Sequence, residues 1–96
     1  MTNRLVIKSE TITVSTTSVG LTAANLVAPV NKVFVHFEGT ARYWRSTLAP
    51  TSTTGIPVDD KTQKEFDITE ATGLRMIRVG GADIKAHVEY IYERGV

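Results

Sequence analysis

Lys32-Val33-Phe34-Val35-His36-Phe37-Glu38-Gly39-Thr40-Ala41-Arg42-Tyr43-Trp44-Arg45-Ser46 decides how this chain is read. Its first seven residues alternate. Val33, Val35 and Phe37 fall on one face of an extended strand, and Lys32, Phe34, His36 and Glu38 on the other, because successive strand side chains point to opposite faces. Gly39-Thr40 reads as a tight connection and Ala41 to Ser46 as the returning strand. Residues 32–46 are therefore expected to form a β-hairpin. On its second arm, Tyr43 and Arg45 share one face; Arg42, Trp44 and Ser46 share the other.

Outward from this stretch the chain keeps the same character. Leu5-Val6-Ile7 and Ile12-Thr13-Val14 are short β-branched runs, with a bend or bulge expected at Ser9-Glu10. Ser15 to Gly20 is rich in turn formers. Leu21 to Leu26 is the one place for a helical turn, too short to stand alone, and Pro29 ends it. Residues 47–63 read as a long polar connection carrying Pro50, Gly55 and Pro57, with Asp59-Asp60-Lys61 as a turn. Phe66-Asp67-Ile68 reads as a short strand, Thr69 to Gly73 as a turn, and Leu74 to Val79 as another strand. Gly80-Gly81-Ala82-Asp83 reads as a hairpin turn whose glycines are free to take positive φ. In the last strand, Ile84, Ala86, Val88, Tyr90 and Tyr92 alternate with Lys85, His87, Glu89, Ile91 and Glu93, the pattern of a sheet buried on one face. The expectation is a single all-β domain over residues 1–96. It would be a small antiparallel β-sandwich or open barrel, jelly-roll or immunoglobulin-like, with about seven or eight short strands.

The bulk composition narrows the function classes. At 96 residues, 42% apolar and 22% charged, the chain has ordinary globular composition and length for one core. It has no cysteine, which excludes disulfide staples, cysteine-ligated zinc and thiol catalysis. A formal charge of +1 gives no electrostatic footprint for nucleic acid or an anionic membrane, so neither is an expected partner. No apolar run approaches the ~20 residues a spanning helix needs. The start, Met1 to Leu5, lacks the apolar core of a secretory signal, so a cytoplasmic site of synthesis is expected. Small domains without staples often gain stability by oligomerising or docking on a partner.

Residues that carry chemistry are sparse. His36 and His87 sit mid-strand among apolar neighbours and read as solvent-face or internally satisfied histidines. Asp59, Asp60, Glu65 and Asp67 are acidic but miss the calcium-loop spacing. No serine lies in a nucleophile-elbow context, no acid–base carboxylate pair stands out, and no Gly-rich loop leads from a strand into a helix. No catalytic residue, cofactor-binding residue or metal ligand is assigned, and an enzyme is not expected. Arg42-Tyr43-Trp44-Arg45 interleaves cations with aromatics. Trp44 reads as core, as a protein-interface anchor, or as a stacking platform for single-stranded nucleic acid.

A longer pattern resembles a family. Ser15-Thr16-Thr17-Ser18-Val19-Gly20-Leu21-Thr22-Ala23-Ala24 is followed by Ala41-Arg42-Tyr43-Trp44 and Pro50-Thr51-Ser52-Thr53-Thr54-Gly55. Then come Leu74-Arg75-Met76-Ile77-Arg78-Val79-Gly80 and Ala86-His87-Val88-Glu89-Tyr90. In order and spacing this is similar to small structural proteins of tailed-bacteriophage virions. The chain departs from them at Ser46-Thr47-Leu48-Ala49, where an Asp-Gly turn is usual, and at Leu74, where an aromatic is usual. The resemblance implies a non-enzymatic virion protein without cofactors, assembled in the host bacterial cytoplasm. Capsid decoration or cement is the role it implies first; a head–tail connector or a tail or fibre component is the alternative. A small single-strand nucleic-acid-binding β-barrel is the competing reading from another class. The implied partners are the major capsid protein or other virion proteins, and further copies of this chain on the particle. Arg42, Trp44, Arg45, Pro50, Thr51, Ile56 and Pro57 are the expected contacts, with Leu5 to Val14 as an edge open to a partner strand.

Overall fold

The computed structural model describes residues 3–94 apart from 47 and 52, and the side chain of Asn3 is not described. Among the described residues, seven strands form two sheets. β1 (Asn3–Val14), β7 (Ile84–Arg94), β2 (Lys32–Glu38) and β5 (Gln63–Asp67) make the larger sheet in that spatial order. β4 (Ile56–Val58), β3 (Ala41–Trp44) and β6 (Arg75–Arg78) make the smaller one. Every pairing is antiparallel. A 3-10 turn (Ala23–Asn25) and a single turn of helix, α1 (Ile68–Thr72), lie in the connections. The architecture is a small all-β sandwich.

The two-residue period explains the core. Val33, Val35 and Phe37 of β2 are fully buried, as are Ala86, Val88 and Tyr90 of β7. Ala41 and Tyr43 of β3, Val58 of β4 and Met76 of β6 meet them from the smaller sheet. Tyr43 packs edge-on to Phe66, ring centroids 5.4 Å apart, and lies 6.3 Å from Phe37. Aromatic pairs at such spacings add to the area they bury.

The expected hairpin over residues 32–46 does not form. β2 pairs with β5 and β7, whereas β3 pairs with β4 and β6. The chain crosses between sheets at Gly39, whose φ of 128° only glycine adopts readily. A Cβ there would also collide with Ile84 Cγ2. Gly80-Gly81 is likewise a crossover, from β6 to β7, and neither glycine is at positive φ.

Three further expectations change. β1 runs unbroken through Ser9-Glu10; its register slips between Val6 and Lys8 instead, at a bulge centred on Ile7. The long polar connection contains β4, which tolerates Pro57 because it sits at a sheet edge. Ile68 is not in a strand but opens α1. Asp67 accepts a hydrogen bond from the Glu70 amide at 2.8 Å, and the Asp67 amide donates back to Glu70 Oε1 at 3.2 Å. That capping box turns the chain out of β5.

The molecule is elongated, 42 × 23 × 21 Å. Twelve residues of β1 span roughly 40 Å at the usual strand rise. The β1–β7 ribbon is thus the long axis of the protein.

Candidate functional site

β3 carries the aromatic and cationic cluster. Ala41 and Tyr43 point into the core; Arg42 and Trp44 point to the outer face of the smaller sheet and are half-buried. Register sets Ile77 and Pro57 beside Arg42, and Arg75 beside Trp44. The loop before β4 folds back over this face. Arg42 Nη1 donates to the Gly55 carbonyl at 2.8 Å. Gly55 has φ 132°, and a Cβ on it would lie 3.1 Å from Pro50 Cβ and 3.3 Å from Arg42 Cβ. Pro50 is buried. Ile77, although it points away from the main core, is 8% exposed. A stretch too polar for a core thus supplies a second small apolar layer through one proline.

The expected contact residues therefore divide. Arg42 and Pro50 are committed inside the molecule and meet around Gly55. Ile56 is half-buried and packs on the core. Arg45 lies beyond the end of β3, exposed, in an ion pair with Glu70 at 2.9 Å. Thr51 and Pro57 are exposed. Trp44 buries its indole Nε1–H without an acceptor among the described residues. Ala49, Pro50 and Thr51 line one wall of a hollow of about 400 Å³, with Thr16, Ser18 and Arg78 across it.

The outer face of the larger sheet carries both histidines, side by side on β2 and β7, ring centroids 6.5 Å apart. His36 is exposed and His87 partly so. His87 Nδ1 lies 3.1 Å from Thr11 Oγ1, and its Nε2 lies 3.5 Å from Glu38 Oε2. They border a shallow trough of about 460 Å³ with Phe34, Gln63 and Glu89. Among the described residues no group of three or more His, Cys, Asp or Glu is placed to hold a metal ion.

β1 forms one edge of the larger sheet, paired only with β7. Across the bulge its face assignment flips. Arg4 lies opposite Glu93 on the outer side, ion-paired with Glu93 and Glu65 and 4.5 Å above the Phe34 ring. Leu5 lies opposite Tyr92 on the core side. Further along the core side, Ile12 and Val14 join the core. Glu10 is covered by the 3-10 segment: Thr22 Oγ1 and Asn25 Nδ2 donate to its carboxylate at 2.8 and 3.1 Å, and Tyr90 Oη donates to Oε2. Burial pushes the Glu10 carboxyl up, but those hydrogen bonds and the charge of Lys8 outweigh it and leave the carboxyl below its ordinary range. Burial, then the bond to Glu10, pushes Tyr90 up to about 12.

Beyond Glu10 the covering stops. Leu5, Val6 and Ile7 are 59%, 46% and 42% exposed. The other three sheet edges are protected: β5 presents Gln63, Lys64 and Glu65, β4 presents Pro57, and β6 is bridged by Val19 at Met76 and by Ser15 at Arg78. Sequence reasoning marked Leu5 to Val14 as an edge but missed Tyr92 and Arg94, which adjoin Leu5 in space. The available signal was three consecutive aliphatic residues, which no one-face-buried strand needs.

Comparison of the chain with protein-family models, curated proteins and solved structures finds no match.

Proposed function

We propose that this chain is a structural protein of a tailed-bacteriophage virion, acting without catalysis as a capsid decoration or cement subunit. The observation that carries the reading is the exposed apolar stretch Leu5–Ile7 on the longest strand, at a sheet edge. Exposed aliphatic side chains clustered on an otherwise polar surface mark interaction sites. The order and spacing of the Thr-rich, Arg-Tyr-Trp and Leu-Arg-Met-Ile-Arg segments support the phage assignment. Weak contacts repeated on a symmetric shell add up to tight attachment through avidity.

The test is the number of copies on purified particles, measured by quantitative mass spectrometry. Shell symmetry predicts hundreds, whereas a closed ring at the neck predicts about a dozen or fewer. A ring-sized number moves the protein to the connector role, and absence from particles overturns the reading.

A further inference from the structure

We propose that the open end of the β1–β7 ribbon is a docking site for an acidic, apolar segment of a partner protein. This rests on the attachment role above and names the chemistry of what is attached to. Leu5 and Tyr92 lie directly opposite one another on the core-side face, where nothing from the smaller sheet or the 3-10 segment buries Leu5. With Arg4 and Arg94 they line a hollow of about 250 Å³. Its lining combines an aliphatic and an aromatic side chain with two guanidinium groups. The Arg4 guanidinium is engaged by Glu93 and Glu65. Arg94 is exposed and has no carboxylate partner among the described residues. An apolar lining beside a guanidinium that has no carboxylate partner among the described residues fits an aliphatic or aromatic side chain next to a carboxylate, which Arg holds through paired N–H donors.

Two other occupants fit less well. A second copy docked end to end offers no free carboxylate from this end, because Glu65 and Glu93 already hold Arg4 and Lys32. Strand addition along the whole edge is disrupted by the bulge at Ile7, which breaks the regular row of outward amides and carbonyls. Contact is therefore made mainly through side chains.

The experiment follows amide NMR shifts of the isotope-labelled full chain during titration with the peptide acetyl-Asp-Phe-Asp-Leu-Asp-amide. The controls are its lysine counterpart, an Asp-Ser-Asp-Ser-Asp peptide and an oligothymidylate. The acidic apolar peptide is expected to give saturable shifts at Leu5, Tyr92 and Arg94. The double variant Leu5→Ser, Arg94→Asp is expected to weaken that binding at least about tenfold. Both residues are exposed, so an unchanged denaturation midpoint confirms that the variant folds. The proposal is overturned if the lysine or serine peptide binds equally, if no saturable shift occurs, if the shifts map elsewhere, or if the oligonucleotide binds the same residues more tightly. The two readings fail separately. Absence from particles with intact peptide binding removes the virion role, whereas particle-bound protein that ignores the peptide removes the docking site.

Discussion

Tyr90 of the central strand β7 donates its hydroxyl to the carboxylate of Glu10 on the edge strand β1. The same carboxylate holds Thr22 and Asn25, so one side chain ties the sheet, its edge and the 3-10 segment together. A partly buried carboxylate is tolerable there because its oxygens meet three donors. It also marks where the covering of the core-side face ends and the exposed stretch begins.

Glu10 should make the fold acid-sensitive. Its folded pKa lies below the ordinary value of 4.5, so its contribution to stability is fully present above that value and is lost as pH falls through the folded pKa. Glu10→Gln keeps the shape but removes the charge from three hydrogen bonds, which should cost about 1 kcal/mol at neutral pH. Urea midpoints measured across the acidic range should show the gap between wild type and variant closing as pH drops. A gap that stays constant would show that the charge contributes nothing.

Tyr90 predicts the opposite limit. Its folded pKa of about 12 exceeds the ordinary 10.0, so the protonated form is favoured by folding. That contribution is intact below 10.0 and is lost as pH rises towards 12. Phenolate absorbance during alkaline titration should show a step at about pH 12 that Tyr90→Phe abolishes. A late limb of the titration that Tyr90→Phe leaves unchanged would contradict the bond to Glu10.

How much of this was legible in the sequence depends on what alternation can report. In β2 and β7 it gave the face of each residue, because a buried face needs every second side chain apolar. It did not give the partner strand. A hairpin and a crossover between sheets both need a turn with glycine between two alternating runs, so residues 32–46 looked the same either way. β4 was hidden by Pro57, since a three-residue edge strand with a proline carries almost no pattern. α1 was announced by Asp67 and Glu70 three residues apart, a signal overlooked beside the apolar Phe66 and Ile68. At the candidate site, the Arg-aromatic pattern and the resemblance marked Arg42 and Pro50 as partner contacts. Only the fold shows that Gly55 lets the loop close on them. Tyr92 and Arg94 join Leu5 solely through long-range register.

The loop over the smaller sheet should open when its latch is removed. Gly55→Ala places a Cβ against Pro50 and Arg42 at a φ of 132° and should cost about 1–3 kcal/mol. Arg42→Met keeps the apolar stem but deletes the bond to the Gly55 carbonyl, for about 1 kcal/mol. Both proteins should stay folded while Trp44 fluorescence shifts to the red. Unchanged emission in both would mean that the loop does not cover this face.

Tyr43 and Trp44 are neighbours with opposite roles, and single substitutions should separate them. Tyr43 is 4% exposed between Phe37 and Phe66, so Tyr43→Ala should cost about 3–5 kcal/mol. Trp44 points outward and is half-buried, so Trp44→Ala should leave a cooperatively folding monomer. If the Trp44 variant fails to fold, Trp44 is part of the essential core despite facing outward.

Two glycines at the sheet crossovers give the sharpest check of the topology. Gly39 carries the chain from β2 to β3 at positive φ, pressed against Ile84 at the start of β7. Gly39→Ala adds both backbone strain and a clash in a packed corner, a loss on the order of 3 kcal/mol. Gly80, at the other crossover, has ordinary φ and open space where a Cβ would go. Gly80→Ala should be neutral or slightly stabilising, because alanine restricts the unfolded chain. Thermal denaturation of the two variants side by side decides it. If Gly80→Ala is the more damaging, β6 and β7 are joined by a tight turn after all, and the two-sheet topology fails.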